Sequence, residues 1–95
     1  MKKSTPRTKR TPKHLARKLV LIREALGLTQ GELIERIGLD VVQQFVSAWE
    51  KGIREPDLLN LMRYSKAANI CVEVLIRDDL DLPEKLPAKR FYDPH

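Results

Sequence analysis

At 95 residues, with a formal net charge of +5 and an isoelectric point near 9.6, the chain is one small domain with a preference for polyanions, too short for an active-site cleft between domains. Its one cysteine, Cys71, excludes an internal disulfide, and its longest uninterrupted aliphatic run, Leu19 to Ile22, falls far short of the ~20 residues a membrane span requires. No apolar stretch long enough for a signal peptide follows the basic start, so no membrane and a reducing cytoplasm are expected.

Residues 1–13 hold six Lys or Arg and no acid, residues 14–82 hold nine basic and eleven acidic side chains, and residues 83–95 hold three and two. The excess charge therefore belongs to an arm, residues 1–11, whose Lys, Arg, Ser, Thr and Pro offer too little apolar surface to offset the entropy of ordering. Such an arm either aids solubility alone or follows phosphates and folds on contact.

A domain over residues 12–81 follows. Thr11 can cap a first helix with Pro12 at its first position, and Leu15, Leu19, Ile22 and Leu26 form one apolar stripe before Gly27 ends it, predicting a helix over 12–26. Thr29 and Glu32 are spaced as a capping box for a helix over 30–37 that buries Leu33 and Ile37 and stops at Gly38. Asp40 is a suitable cap for a third helix, 41–51, with Val42, Phe45, Val46 and Trp49 inward and Gln43, Gln44, Ser47 and Lys51 outward; Gly52 closes it. Pro56-Asp57 opens a fourth, 58–68, with Leu58, Leu61, Met62 and Ser65 along one side and Asn69 at its left-handed end. A fifth, 72–80, carries Val72, Leu75, Ile76 and Leu80, and no segment alternates long enough to be a strand. The tail, 82–95, has three prolines and the cluster Lys89-Arg90-Phe91-Tyr92, which either docks on the domain or a partner or stays a disordered end.

From Leu15 to Leu80 the chain resembles the all-α, five-helix helix-turn-helix domain of phage repressors, Cro proteins and their Xre-type bacterial relatives. The residues that carry the likeness are the segments GLTQGEL, FVSAWEKG, REPDLLNL and NICVEVLI. The resemblance implies that double-stranded DNA is the partner, with the third helix in the major groove and the second bridging to the backbone. It places Thr29 and Gln30 at a phosphate and Gln43 and Gln44 at base edges, where a glutamine amide can meet adenine N6 and N7 together. It gives Ser47 to base or phosphate, Lys51 and Arg54 to phosphates, and Arg23 with Glu50 to an ion pair locking the first helix to the third. Arg7, Lys9 and Arg10 of the arm join the candidate DNA contacts.

The spacing between Gly38 and Glu50 exceeds the family's by two residues, most simply at Leu39-Asp40, so either the turn is longer or the third helix starts earlier. A one-residue shift in phase, about 100°, exchanges Gln43 for Val42 at the groove, which adds Val42 to the candidates. Gly31, where the family prefers alanine, should soften the second helix.

Each feature also has an ordinary structural account. Gln43, Gln44 and Ser47 would suit any solvated helix face, Trp49 is a core residue, and Cys71 fills a helix start. His14 and His95 are isolated, so no metal and no cofactor are expected. No G-x-S-x-G, phosphate-binding loop or paired-carboxylate setting points to an enzyme. Two readings remain. One is a transcriptional regulator, as a repressor, binding a pseudopalindromic operator as a homodimer through Leu75, Ile76 and Leu80. The other is an antitoxin that binds its toxin through residues 82–95 and regulates its own operon. Either would be cytoplasmic and associated with the nucleoid through DNA.

Overall fold

The computed structural model describes residues 12–94 and holds five helices and no strand among them: α1 (Leu15–Leu26), α2 (Gln30–Ile37), α3 (Gln43–Glu50), α4 (Leu58–Ala68) and α5 (Glu73–Ile76). Thr11, Arg7, Lys9 and Arg10 lie outside the described residues.

Helix α1 begins at Leu15 instead of Pro12. The backbone N–H groups of Lys13 and His14, just ahead of it, donate to the Asp78 carboxylate at 3.0 and 3.1 Å. The carboxylate that satisfies these amides thus comes from the far end of the chain, which no local sequence signal announces. Gly27 then takes the left-handed turn, φ 72°, that ends the helix.

Helix α2 has the expected bounds, because its capping box is local. The Glu32 N–H donates to Thr29 Oγ1 at 3.1 Å, and the Thr29 N–H donates to Glu32 Oε1 at 2.9 Å. Helix α3 starts two residues later than expected, at Gln43, with Val42 extended at the cap position and Asp40 uninvolved in capping. The turn between α2 and α3 spans Gly38 to Val42, with Leu39 buried in it and Asp40 exposed. With Val46 and Trp49 facing inward, Phe45 is rotated about 100° away from Val46 and reaches the flank. Two expected core residues are therefore outside: Val42 is 57% and Phe45 40% exposed.

On α4 the inward stripe is Asn60, Leu61, Tyr64, Ser65 and Ala68. Leu61 and Ser65 face inward as expected, but Leu58 and Met62 face solvent, because Tyr64 and Ala68 draw the helix round on its axis. Tyr64 is wholly buried and meets Trp49 edge to face at a centroid distance of 6.3 Å, joining α4 to α3. Asp57 accepts from the Asn60 N–H at the start of α4, and Asn69 ends it with φ 59°.

Helix α5 is a single turn, not the expected nine residues. The Lys18 ammonium accounts for this: it donates to the carbonyls of Val74, Arg77 and Leu80 at 2.7, 2.9 and 2.7 Å, so the chain after Ile76 wraps a buried cation instead of extending a helix. Burial pushes the Lys18 pKa below its ordinary value, opposed by the nearby Asp78, Asp81 and Asp79. Leu75, expected at a dimer interface, is wholly buried in the core and is not available for one, while Ile76 is exposed and Leu80 half-buried.

Residues 82–94 run back over the domain. The Ala88 N–H donates to the Ala68 carbonyl, Asn69 Nδ2 to the Ala88 carbonyl, the Tyr92 N–H to the Asn69 carbonyl and the Cys71 N–H to the Tyr92 carbonyl. An isolated parallel bridge pairs Ile70 with Tyr92, and Leu82, Leu86 and Tyr92 pack against the core.

Candidate nucleic-acid interface

The outward side of α3 is set by what its inward side buries. With Val46 and Trp49 in the core, Gln44 lies about opposite them; Gln43 and Ser47 flank it toward α2, and Ala48 and Phe45 flank it on the other side. Gln30, Val42, Gln43, Gln44 and Ser47 together line one open concavity between the first turns of α2 and α3.

Gln43 is held in place by a chain of polar groups that ends in an ion pair. Its Nε2 donates to Gln30 Oε1 at 3.3 Å, and Gln30 Nε2 donates to Glu50 Oε1 at 2.9 Å. Glu50 also accepts from Arg23 Nε at 2.7 Å and Arg23 Nη2 at 3.1 Å, the two-pronged geometry that suits guanidinium and carboxylate. A further Arg23 donor reaches the Leu28 carbonyl at 2.9 Å, tying α1 to the start of the loop before α2. The hydrogen bond to Glu50 raises the Arg23 pKa, and the Glu50 side chain is only 7% exposed. With Nε2 of Gln30 turned to a carboxylate, its Oε1 must face Gln43, so the relay fixes the direction of both amides.

Around this centre Thr29, Lys51 and Arg54 are exposed. The Arg54 guanidinium lies 5.8 Å from the centre of the Phe45 ring, which steadies it by cation–π attraction at the edge of α3. Phe45 was not legible as a surface residue, since periodicity alone put it with Val46. Its contact with Arg54, nine positions on, depends on the turn at Gly52, φ 76°. Chemically the site has directional amides, a hydroxyl, exposed cations and apolar side chains. Among the described residues no group of three or more His, Cys, Asp or Glu is placed to hold a metal ion.

A helix-turn-helix family model matches residues 19–71, more than half of the chain, from within α1 to just past the end of α4. The chain belongs to this helix-turn-helix family. It is an Xre-type DNA-binding domain, all-α, and a DNA-binding transcription regulator in its general class. Comparison with curated proteins and with solved structures found no match. Within the helix-turn-helix domain, α2 and α3 are the paired helices of the motif, joined by the turn from Gly38 to Val42. No helix among the described residues is long and apolar enough to cross a membrane.

Proposed function

We propose that this helix-turn-helix domain is a sequence-specific repressor that binds a pseudopalindromic operator as a homodimer and excludes polymerase, with α3 in the major groove. One observation supports this most: the first turn of α3 turns glutamines outward, and one of them is oriented through Gln30 by the Arg23–Glu50 pair. A solvated helix face needs no such orientation. A surface that must meet base edges does.

In this reading Gln44, on the most outward line of α3, reads adenine. Gln43 and Gln30 act together, base edge and phosphate, while Val42 supplies an apolar contact for a thymine methyl. Thr29, Ser47, Lys51 and Arg54 meet the backbone, and Arg7, Lys9 and Arg10 follow it further. The protein works in the cytoplasm on the nucleoid, and catalysis has no part in its action.

Selection of bound sequences from a random DNA pool tests the proposal, since the outcome gives recognition, half-site spacing and symmetry together. Expected is a two-fold symmetric consensus; a flat selection refutes sequence-specific binding. With the consensus in hand, Gln44→Ala should lose about 1–3 kcal/mol of discrimination at one base pair of each half-site, leaving salt-dependent binding to other DNA in place.

The antitoxin reading keeps one observation in its favour. Phe91 is exposed between the exposed Arg90 and the docked Tyr92, an apolar tip that a partner protein can cover. Co-expression with the product of an adjacent gene, followed by co-purification that Phe91→Ser abolishes, would move the weight to that reading.

A further inference from the structure

The largest feature that the DNA face does not explain is on α4. Leu58, Leu59 and Met62 are 64%, 56% and 50% exposed, three large apolar side chains within the first five residues of one helix. Leu59 and Met62 also wall an open groove continued by Leu26, Ile37 and Arg36. Clusters of this kind on a small domain mark interaction sites, whereas single exposed leucines do not.

Charge indicates what covers it. The approach to α4 is acidic, Glu55 and Asp57, and its second half is basic, Arg63 and Lys66. Leu59, Met62 and Lys66 lie at positions i, i+3 and i+7 and so share one stripe. Two copies of α4 packed in parallel would set like charges together. Packed antiparallel about a two-fold axis that crosses the helix between positions 60 and 61, Leu59 stands opposite Met62 of the other copy, and the acidic approach that holds Glu55 faces the basic end at Lys66.

We propose that a second copy of this chain covers this face, α4 against α4 in antiparallel fashion, with Leu59 and Met62 at the centre and Glu55 with Lys66 of the other copy at each rim. The inference rests on the homodimer reading above and names its surface, in place of Leu75, which the core claims. The seven residues between α3 and α4 keep this interface next to the reading helix, so dimer geometry and half-site spacing are coupled.

Sedimentation of the full chain, free and on DNA carrying two half-sites, tests this with four variants. Leu59→Asp with Met62→Asp should weaken self-association at least about a hundredfold while the helical circular-dichroism signal stays. Glu55→Lys alone and Lys66→Glu alone should each weaken it about five- to thirtyfold, since the pair occurs twice per dimer, and the two together should restore it to within about threefold. That rescue is what a merely destabilised monomer cannot give. A dimer indifferent to all four variants overturns the α4 surface and leaves the dimer reading standing. A chain that is monomeric both free and on two-half-site DNA overturns the dimer reading itself, and the α4 inference with it.

Discussion

The first turn of α3 meets the rest of the protein through a relay of amides ending in a salt bridge, whereas α1 and α5 meet through closed apolar packing around one ammonium. The contrast follows from what each region must do. In the proposed function α3 meets DNA with a largely polar outer face, so this eight-residue helix, which buries Val46 and Trp49, has few apolar side chains with which to hold itself. Directional bonds fix its amides, a task that apolar contact performs poorly. The opposite half has no such outer face to present. It buries Leu15, Leu19, Ile22, Val74 and Leu75, and Lys18 closes the carbonyl ends that one turn of helix leaves open.

The largest break in this contrast should come from Glu50→Ala. It leaves the Arg23 guanidinium and the Gln30 amide without their acceptor, and we expect a loss of about 2–4 kcal/mol in urea unfolding together with loss of operator preference. Removing Arg23 as well should cost less than the sum of the two single changes. Lys18→Met should cost about 1–3 kcal/mol, because three carbonyls lose their donor, yet at a temperature where the variant is folded its operator preference should be unchanged. If Lys18→Met altered base preference, the two regions would not be as separate as the bonding pattern indicates.

Acid should act on the starts of α1 and α2. The N–H groups of Lys13 and His14 hold the Asp78 carboxyl below its ordinary pKa, and hydrogen bonds from Thr29 hold Glu32 below its own. For a carboxyl lowered on folding, the stabilisation is present above its unfolded pKa and is lost as pH falls through the lower folded value. Stability should therefore fall on the acid side, and Asp78→Asn should flatten that limb of the pH profile in thermal melts. The smallest effect is a gain: a Cβ on Gly31 would meet only Gln43 Oε1, at an ordinary 3.7 Å, so Gly31→Ala should stabilise α2 by about 0.5–1 kcal/mol. A loss of operator affinity in that variant would mean that the Gln43 amide needs the space.

Legibility in the sequence tracked the range of the interactions. Helix α2 was readable to the residue because Thr29 and Glu32 satisfy each other three positions apart, and the ends of α1 and α4 were readable because Gly27 and Asn69 take left-handed turns. The start of α1 was not, since its leading amides find Asp78, 64 and 65 residues away. Nor was the length of α5, since apolar spacing over 72–80 says nothing of an ammonium arriving from α1. At the site, Arg23 with Glu50 followed from the family likeness. The bonds from Glu50 through Gln30 to Gln43 did not, because each depends on where two helices come to rest.

By itself the sequence determined the helical class, most helix ends and the polar character of the α3 surface, since these rest on contacts a few positions apart and on side-chain chemistry. Tertiary structure alone decided the phase of α3. Leu39 entering the core set where that helix begins, and its phase sent Phe45 outward beneath Arg54 and left Val42 beside the glutamines. Only packing can make that decision, because a helix of eight residues turns whichever side the rest of the protein has room to bury.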